Sequence, residues 1–122
     1  MPIVISWYQP HILLIDIRDD VTANEVCAAI AETIARCDAA PQPIRMISDW
    51  RKATCYPIDY DMMSLILKMV QHPNMDWIVV LGMSPTLNFW AKLVSQIARP
   101  RYHVADTMED ALEFLVGLPT RV

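Results

Sequence analysis

Glycine is nearly missing from this chain: two residues in 122, Gly82 and Gly117. A backbone that wraps closely around a phosphate needs glycine, and neither a GxGxxG fingerprint nor a P-loop is present. Gly82-Met83-Ser84-Pro85 is the one place where a glycine leads into an expected helix start. Positive charge is also scarce. Ten Lys and Arg against fourteen Asp and Glu leave a formal charge of -4, and no basic stripe is present of the kind that neutralises phosphates, which argues against nucleic acid as a partner. The three cysteines, Cys27, Cys37 and Cys55, are odd in number and form no CxxC pair, so neither a disulfide framework nor a zinc site is expected. Reduced thiols suit a cytosolic address. No apolar run approaches the roughly 18 residues of a membrane-spanning helix. The start MPIVISWY has neither a basic n-region nor a small-residue cleavage site. A soluble cytoplasmic protein that needs no cofactor or metal to fold is the expectation.

Apolar side chains, by contrast, make up 54% of the chain, enough for one sizeable core in a single domain spanning 1–122. Their spacing changes period along the sequence. IVISWY (3–8) and HILLIDI (11–17) are β-branched and aromatic-rich, separated by Gln9-Pro10, and predict an antiparallel hairpin. Thr22 and Glu25 form the [ST]-x-x-[DE] capping box. Val26, Ile30, Ile34 and Cys37 follow at helical spacing, predicting a helix over 22–38 that Pro41 and Pro43 close. PIRMISDW (43–50) reads as a strand and RKATCYPID as an irregular segment. A helix through Met62, Met63, Ile66, Leu67, Met69 and Val70 stops at His72-Pro73. DWIVVLG (76–82) is almost continuously apolar, as a central strand covered on both faces should be. Ser84-Pro85 predicts a helix start, proline costing nothing at the first helical position, and that helix runs to about Ala98. RYHVAD (101–106) gives a last strand. Thr107 and Asp110 cap a closing helix with Ala111, Leu112 and Leu115 on its core side, ended by Gly117 and Pro119.

The fold class is therefore α/β in the order ββαβαβαβα: a mostly parallel sheet, an antiparallel edge strand, and helices packed against it. In such sheets ligands and partners meet the carboxyl ends of the parallel strands. Asp19, Asp20, the stretch Asp49 to Asp61, Gly82 to Ser84, and Asp106 with Thr107 are placed at that edge.

The order ββαβαβαβα, a strand ending in Asp49 and a loop leading to a capped helix together resemble the STAS domain, named for sulfate transporters and anti-sigma factor antagonists. The stand-alone bacterial antagonist type is the nearer likeness. The resemblance implies a regulatory protein-binding module. In that family the strand-ending Asp is followed by a loop and then Asp-Ser-Ser/Thr-Gly, whose middle serine a partner kinase phosphorylates. The matching junction here reads Asp59-Tyr60-Asp61-Met62, without the hydroxyl or the glycine. Thr54 lies upstream in the loop and Ser64 inside the first helical turns, so a serine switch at the usual position is not expected. Asp61 instead brings a permanent negative charge to the helix start, where the dipole favours it, and Asp59 or Asp61 is a natural N-cap.

Enzyme readings find less support. Cys55 and His72 fall at opposite ends of one expected helix, on the order of 15 Å or more apart at 1.5 Å per residue, too far for a nucleophile and its base. Cys27 and Cys37 read as small core residues. Asp19, Asp20, Asp49 and Asp106 evoke the magnesium site of response-regulator receiver domains. Yet the phosphoacceptor position holds Gly82-Met83 and the final strand ends in Asp106 rather than Lys.

The helix after Ser84 carries Leu87, Ala91, Val94 and Ala98 on one stripe, widened by Phe89, Trp90, Leu93 and Ile97 beyond a single face. Such a helix is either deeply buried or meets a partner. The sequence thus predicts a non-enzymatic module that binds a protein partner through Asp49, Trp50, Arg51, Lys52, Tyr56, Asp59, Tyr60, Asp61 and Ser84, with Phe89, Trp90 and Leu93 as an interface suited to a homodimer. A small-molecule sensor taking an apolar or anionic ligand at the same edge is the alternative.

Overall fold

A computed structural model of the chain describes residues 3–55, 60–82, 85, 89, 92, 93, 96 and 102–118. Five strands, β1 (Ile3–Gln9), β2 (Ile12–Asp20), β3 (Ile44–Cys55), β4 (Met75–Leu81) and β5 (Tyr102–Ala105), form one sheet in the order β1-β2-β3-β4-β5. β1 and β2 are antiparallel and every other neighbouring pair is parallel. Helix α1 (Ala23–Ala39) connects β2 to β3, α2 (Tyr60–Val70) precedes β4, and α3 (Met108–Val116) follows β5. Pro85, Phe89, Lys92, Leu93 and Gln96 are also helical, within the helix expected after Ser84.

Strand alternation sorts the core into two faces. Leu13, Ile15, Ile17, Met46, Ile78 and Val80 pack beneath α1 and α2, against Val26, Ile30, Met62, Met69 and Val70. On the other face Ile12, Ile47, Val79, Leu81 and Ala105 meet Ala111 and Leu115 of α3. β4 contributes to both, which is why its sequence reads as an unbroken apolar run.

The expected N-caps at Thr22 and Thr107 form. Glu25 N donates to Thr22 Oγ1 at 3.1 Å while Thr22 N donates to Glu25 Oε1 at 2.9 Å, completing the capping box. Asp110 N donates to Thr107 Oγ1 at 3.0 Å at the start of α3. The end of α1 is fastened from a distance: Asn74 Nδ2 donates to the carbonyls of Cys37 and Ala40 at 2.9 and 3.3 Å, and His72 Nε2 lies 2.7 Å from Asp38. At the amino ends of the strands, Arg45 donates to buried Asp76 at 3.0 Å and to the Leu115 carbonyl at 2.7 Å. That pair anchors the last turn of α3 to the sheet.

Two expectations need correction. The hairpin turn is Pro10-His11 rather than Gln9-Pro10, since Gln9 still pairs with Ile12. Proline presets the first central residue and His11 adopts a φ of 71° at the second, the combination of a type II turn. The second correction concerns the site. β3 does not end near Asp49 and Trp50: it continues through Arg51, Lys52, Ala53, Thr54 and Cys55, and β2 continues beside it through Asp20. Arg18 pairs with Lys52, Asp19 with Ala53 and Asp20 with Cys55. This extension has no β4 beside it, because β4 pairs no further than Leu81 against Asp49. Among its described side chains only Ala53 packs against the core, so its residues carry no apolar alternation and read as loop. Register shifts after Asp16 and after Asp19 blur the pattern further, and Asp19 has a φ of 58°.

Candidate functional site

Asp49 is where the sheet narrows from five strands to a two-stranded ribbon. It stands in register with Asp16 on β2 and with Leu81, the last residue of β4. At 4% exposure its carboxylate is almost out of water, and Arg51 compensates it fully. Arg51 Nε and Nη2 donate to Oδ1 and Oδ2 at 3.0 and 2.9 Å, and the Arg51 backbone N donates to Oδ1 at 3.0 Å. Burial alone would raise the Asp49 carboxyl; the Arg51 hydrogen bonds and charge outweigh it and hold the group below the ordinary carboxylate range. Arg51 is held charged by the same hydrogen bonds.

β2 repeats the device. Arg18 Nε and Nη2 both donate to Asp16 Oδ2, at 3.0 and 2.9 Å. Asp-x-Arg therefore occurs on two adjacent strands, as Asp16-Ile17-Arg18 and Asp49-Trp50-Arg51, and brings four charges together. Sequence reasoning named Asp49 and Arg51 without pairing them and did not single out Asp16 or Arg18, although both spacings match: period 2 places the Asp and the Arg of a strand on one face. Asp16 Oδ1 is buried and has no hydrogen-bond partner among the described residues.

Gly82 shapes the other side of the junction. Its φ is +73°, and a Cβ built there would lie 2.5 to 2.6 Å from Arg51 Cγ, Cα and N. Two of those atoms are backbone and cannot yield without moving β3. One of the chain's two glycines is thus required by both conformation and close approach, and it lets the end of β4 pass directly beside Arg51.

The other expected residues distribute as follows. Lys52 is exposed and Trp50 half-buried, on the α1/α2 side of the sheet. Thr54 Oγ1 donates to Asp20 Oδ1 at 2.6 Å, closing the tip of the ribbon. Tyr60 opens α2 and Asp61 is exposed in its first turn, so the expected acidic charge does sit at that helix start. Tyr56, Asp59, Ser84 and Trp90 lie outside the described residues. Phe89 is 58% exposed and Leu93 38%, so part of the apolar helix after Ser84 faces outward.

For chemistry, the described residues offer little. His72 is engaged on both ring nitrogens, accepting from Asn74 N at 3.0 Å on Nδ1 and meeting Asp38 through Nε2. The Cys37 thiol is pushed up to about 11 by burial and by the Asp38 charge. Both Asp49 oxygens face Arg51 rather than an open site. Among the described residues no three His, Cys, Asp or Glu side chains gather as a metal site, and no helix is long and apolar enough to cross a membrane.

The sequence matches no known family profile and no curated protein. Solved structures do match. The anti-sigma factor antagonist SpoIIAA in its unphosphorylated form superposes with a TM-score of 0.69 at 14% identity, over 95% of this chain and 99% of the other. The Bacillus cell fate determinant SpoIIAA in its phosphorylated form gives 0.65 at 15%, over 93% and 98%. An uncharacterised DUF3478-family protein with a SpoIIAA-like fold from Shewanella loihica gives 0.63 at 14%, over 93% and 91%. At such identities the likeness is one of architecture, and this chain has the STAS-like fold of SpoIIAA from its antiparallel edge strand to its closing helix.

Proposed function

We propose that the chain is a non-enzymatic regulatory module of the bacterial cytoplasm that works by binding another protein, with the contact edge formed by the β2-β3 ribbon and the start of α2. The observation that carries this reading is the fold shared with an anti-sigma factor antagonist, combined with a charged cluster held rigidly where that sheet narrows. Lys52 presents positive charge and Asp61 a negative one, beside the guanidinium groups of Arg51 and Arg18 paired to Asp49 and Asp16. Charge fixed in place in this way selects a partner of complementary pattern. Trp50, Tyr56 and Tyr60 are the aromatic residues assigned to the contact, and Asp59 and Ser84 complete the proposed set.

SpoIIAA exists in unphosphorylated and phosphorylated forms. The first residues of α2 here are Tyr60, Asp61 and Met62, none a serine or threonine. Asp61 gives the helix start a constant charge, so the module works without a serine phospho-switch at this position. Outward-facing Phe89 and Leu93, with Trp90 between them in sequence, support a homodimer through that helix.

Affinity capture from the native host, compared between wild type and a doubly substituted Arg51→Glu, Lys52→Glu chain, tests the contact edge. A protein retained by the wild type and lost by the folded variant is expected. Equal capture by both would remove the ribbon from the interface, and light scattering on Leu93→Arg tests the dimer in the same preparations.

A further inference from the structure

Among the described residues β1 pairs with β2 on one side and with no strand on the other. Alternate residues of β1 therefore turn backbone N–H and C=O groups outward, a template for another strand. Exposed edges usually resist pairing by being short, or by carrying charges, proline or a bulge. The opposite edge, β5, is only four residues long. β1 has seven, IVISWYQ, with no charge and no proline, and its bulge lies at one end, between Trp7 and Gln9. Ile3 to Trp7 is left regular. We infer that β1 pairs antiparallel with β1 of a second copy of this chain, joining two five-stranded sheets across a two-fold axis near Ile5 and Ser6. This contact is separate from the helix carrying Phe89 and Leu93 and does not rest on that reading.

Three observations favour a second copy over a foreign strand. The first is the pairing itself. Ile3, Ile5 and Trp7 share the α1 side of the sheet. With the axis at Ser6, Trp7 meets Ile5 of the other copy; with the axis at Ile5, it meets Ile3. Either register sets an aromatic residue against a β-branched one, a favourable cross-strand pair, and opposes no like charges. Val4 and Trp7 are each 49% exposed, so apolar area is available to cover. The second is charge. α1 runs back against the direction of β2 and so along that of β1. A groove beside β1 is lined by α1 from Glu25 and Ala28 to Arg36, and Arg36 also lies beside Trp7. A two-fold axis reverses α1 in the second copy, bringing the Glu25 end of each helix to the Arg36 end of the other. Between them Glu32 keeps its own Arg36 at 3.6 Å. The surface is thus complementary to itself in sign. The third is size. Seven residues at about 3.4 Å each make a contact about 24 Å long, and a sheet with one helix layer is about 20 Å deep. About 1,000 Å² is then covered over both copies, the lower limit for a specific interface, so association belongs at micromolar concentrations.

Sedimentation of the full chain from about 5 to about 500 µM, with amide hydrogen exchange at both ends of that range, tests the inference. A monomer–dimer equilibrium is expected, with protection gained at high concentration by the β1 amides that do not bond to β2 and not by those of β5. Trp7→Lys sets a charge on the edge and should weaken the dimer at least about tenfold; Arg36→Glu, which removes the opposite sign from α1, should weaken it in the same direction. A monomer at every concentration overturns the inference, and so does a dimer in which the β1 amides gain no protection. A dimer lost in Leu93→Arg but kept in both other variants assigns self-association to the helix after Ser84 and overturns the β1 contact. Assemblies larger than a dimer, cut to dimers by either Trp7→Lys or Leu93→Arg, support both contacts. The wild-type measurements decide even if a variant does not fold.

Discussion

Replacing Arg51 with Met leaves the Asp49 carboxylate buried at 4% exposure while keeping the stem that lies beside Gly82. Two charge-assisted hydrogen bonds disappear, at 3.0 and 2.9 Å; the backbone bond from residue 51 can remain. In a fully buried setting such a loss reaches about 3–5 kcal/mol. The Arg51 side chain is 40% exposed, so water partly replaces it, and we expect about 1.5–2 kcal/mol at pH 7. The effect depends on pH with a definite sign. Asp49 has a folded-state pKa below its unfolded value of about 3.9. Its stabilisation is therefore fully present above the unfolded value and is lost as pH falls through the folded one. In the Met variant burial acts without the fork, so the carboxyl rises and the variant gains no such term. The gap between the two proteins should be widest at neutral pH and close as pH falls from the variant's raised carboxyl pKa, above about 3.9, through the wild type's lowered one. Urea unfolding at several pH values, with equal m-values as a check on the unfolded state, measures it directly. A gap that stays constant down to the lowest pH, or one absent at pH 7, would refute the assignment of Asp49 as a buried carboxylate neutralised by Arg51. A cycle with Asp49→Asn isolates the pair: coupling should vanish once either partner is gone.

Two further outcomes test the scaffold around the site. Gly82→Ala should cost about 2–4 kcal/mol, combining a left-handed backbone conformation with a clash against Arg51 main chain; a thermal melt matching wild type would mean that β4 does not pass Arg51 as described. Asn74→Ala removes both side-chain bonds to the last carbonyls of α1 and should cost about 1–2 kcal/mol, with hydrogen exchange accelerating at the end of α1 more than in β4.

What could be read in advance was what is decided locally. The capping box at Thr22 and the N-cap at Thr107 were legible because each is decided within four residues. The same holds for the 3.6-residue period of α1 and α2. β4 was legible as well, since burial on both faces removes polar residues from a contiguous stretch. The extension of β3 beyond Trp50 was not. Arg51-Lys52-Ala53-Thr54-Cys55 sets only Ala53 of its described side chains against the core, so its pairing with β2 leaves no hydrophobic alternation, and the shifts near Asp16 and Asp19 break the remaining regularity. Asp49 was marked as a site residue from its place in the chain, yet the nature of its role came from Arg51 folding back two residues along the same strand.

What the sequence by itself determined, then, was the class and order of the fold and the location of the edge where the strands end, because period, caps and composition are local or additive properties. The pairing of Asp49 with Arg51 beside Asp16 and Arg18, the contact of Gly82 with β3 and the Asn74 clamp on α1 were decided only by tertiary structure. Each depends on which residues distant in the chain are brought within a few ångströms, and on how much water is left there, neither of which a linear spacing records.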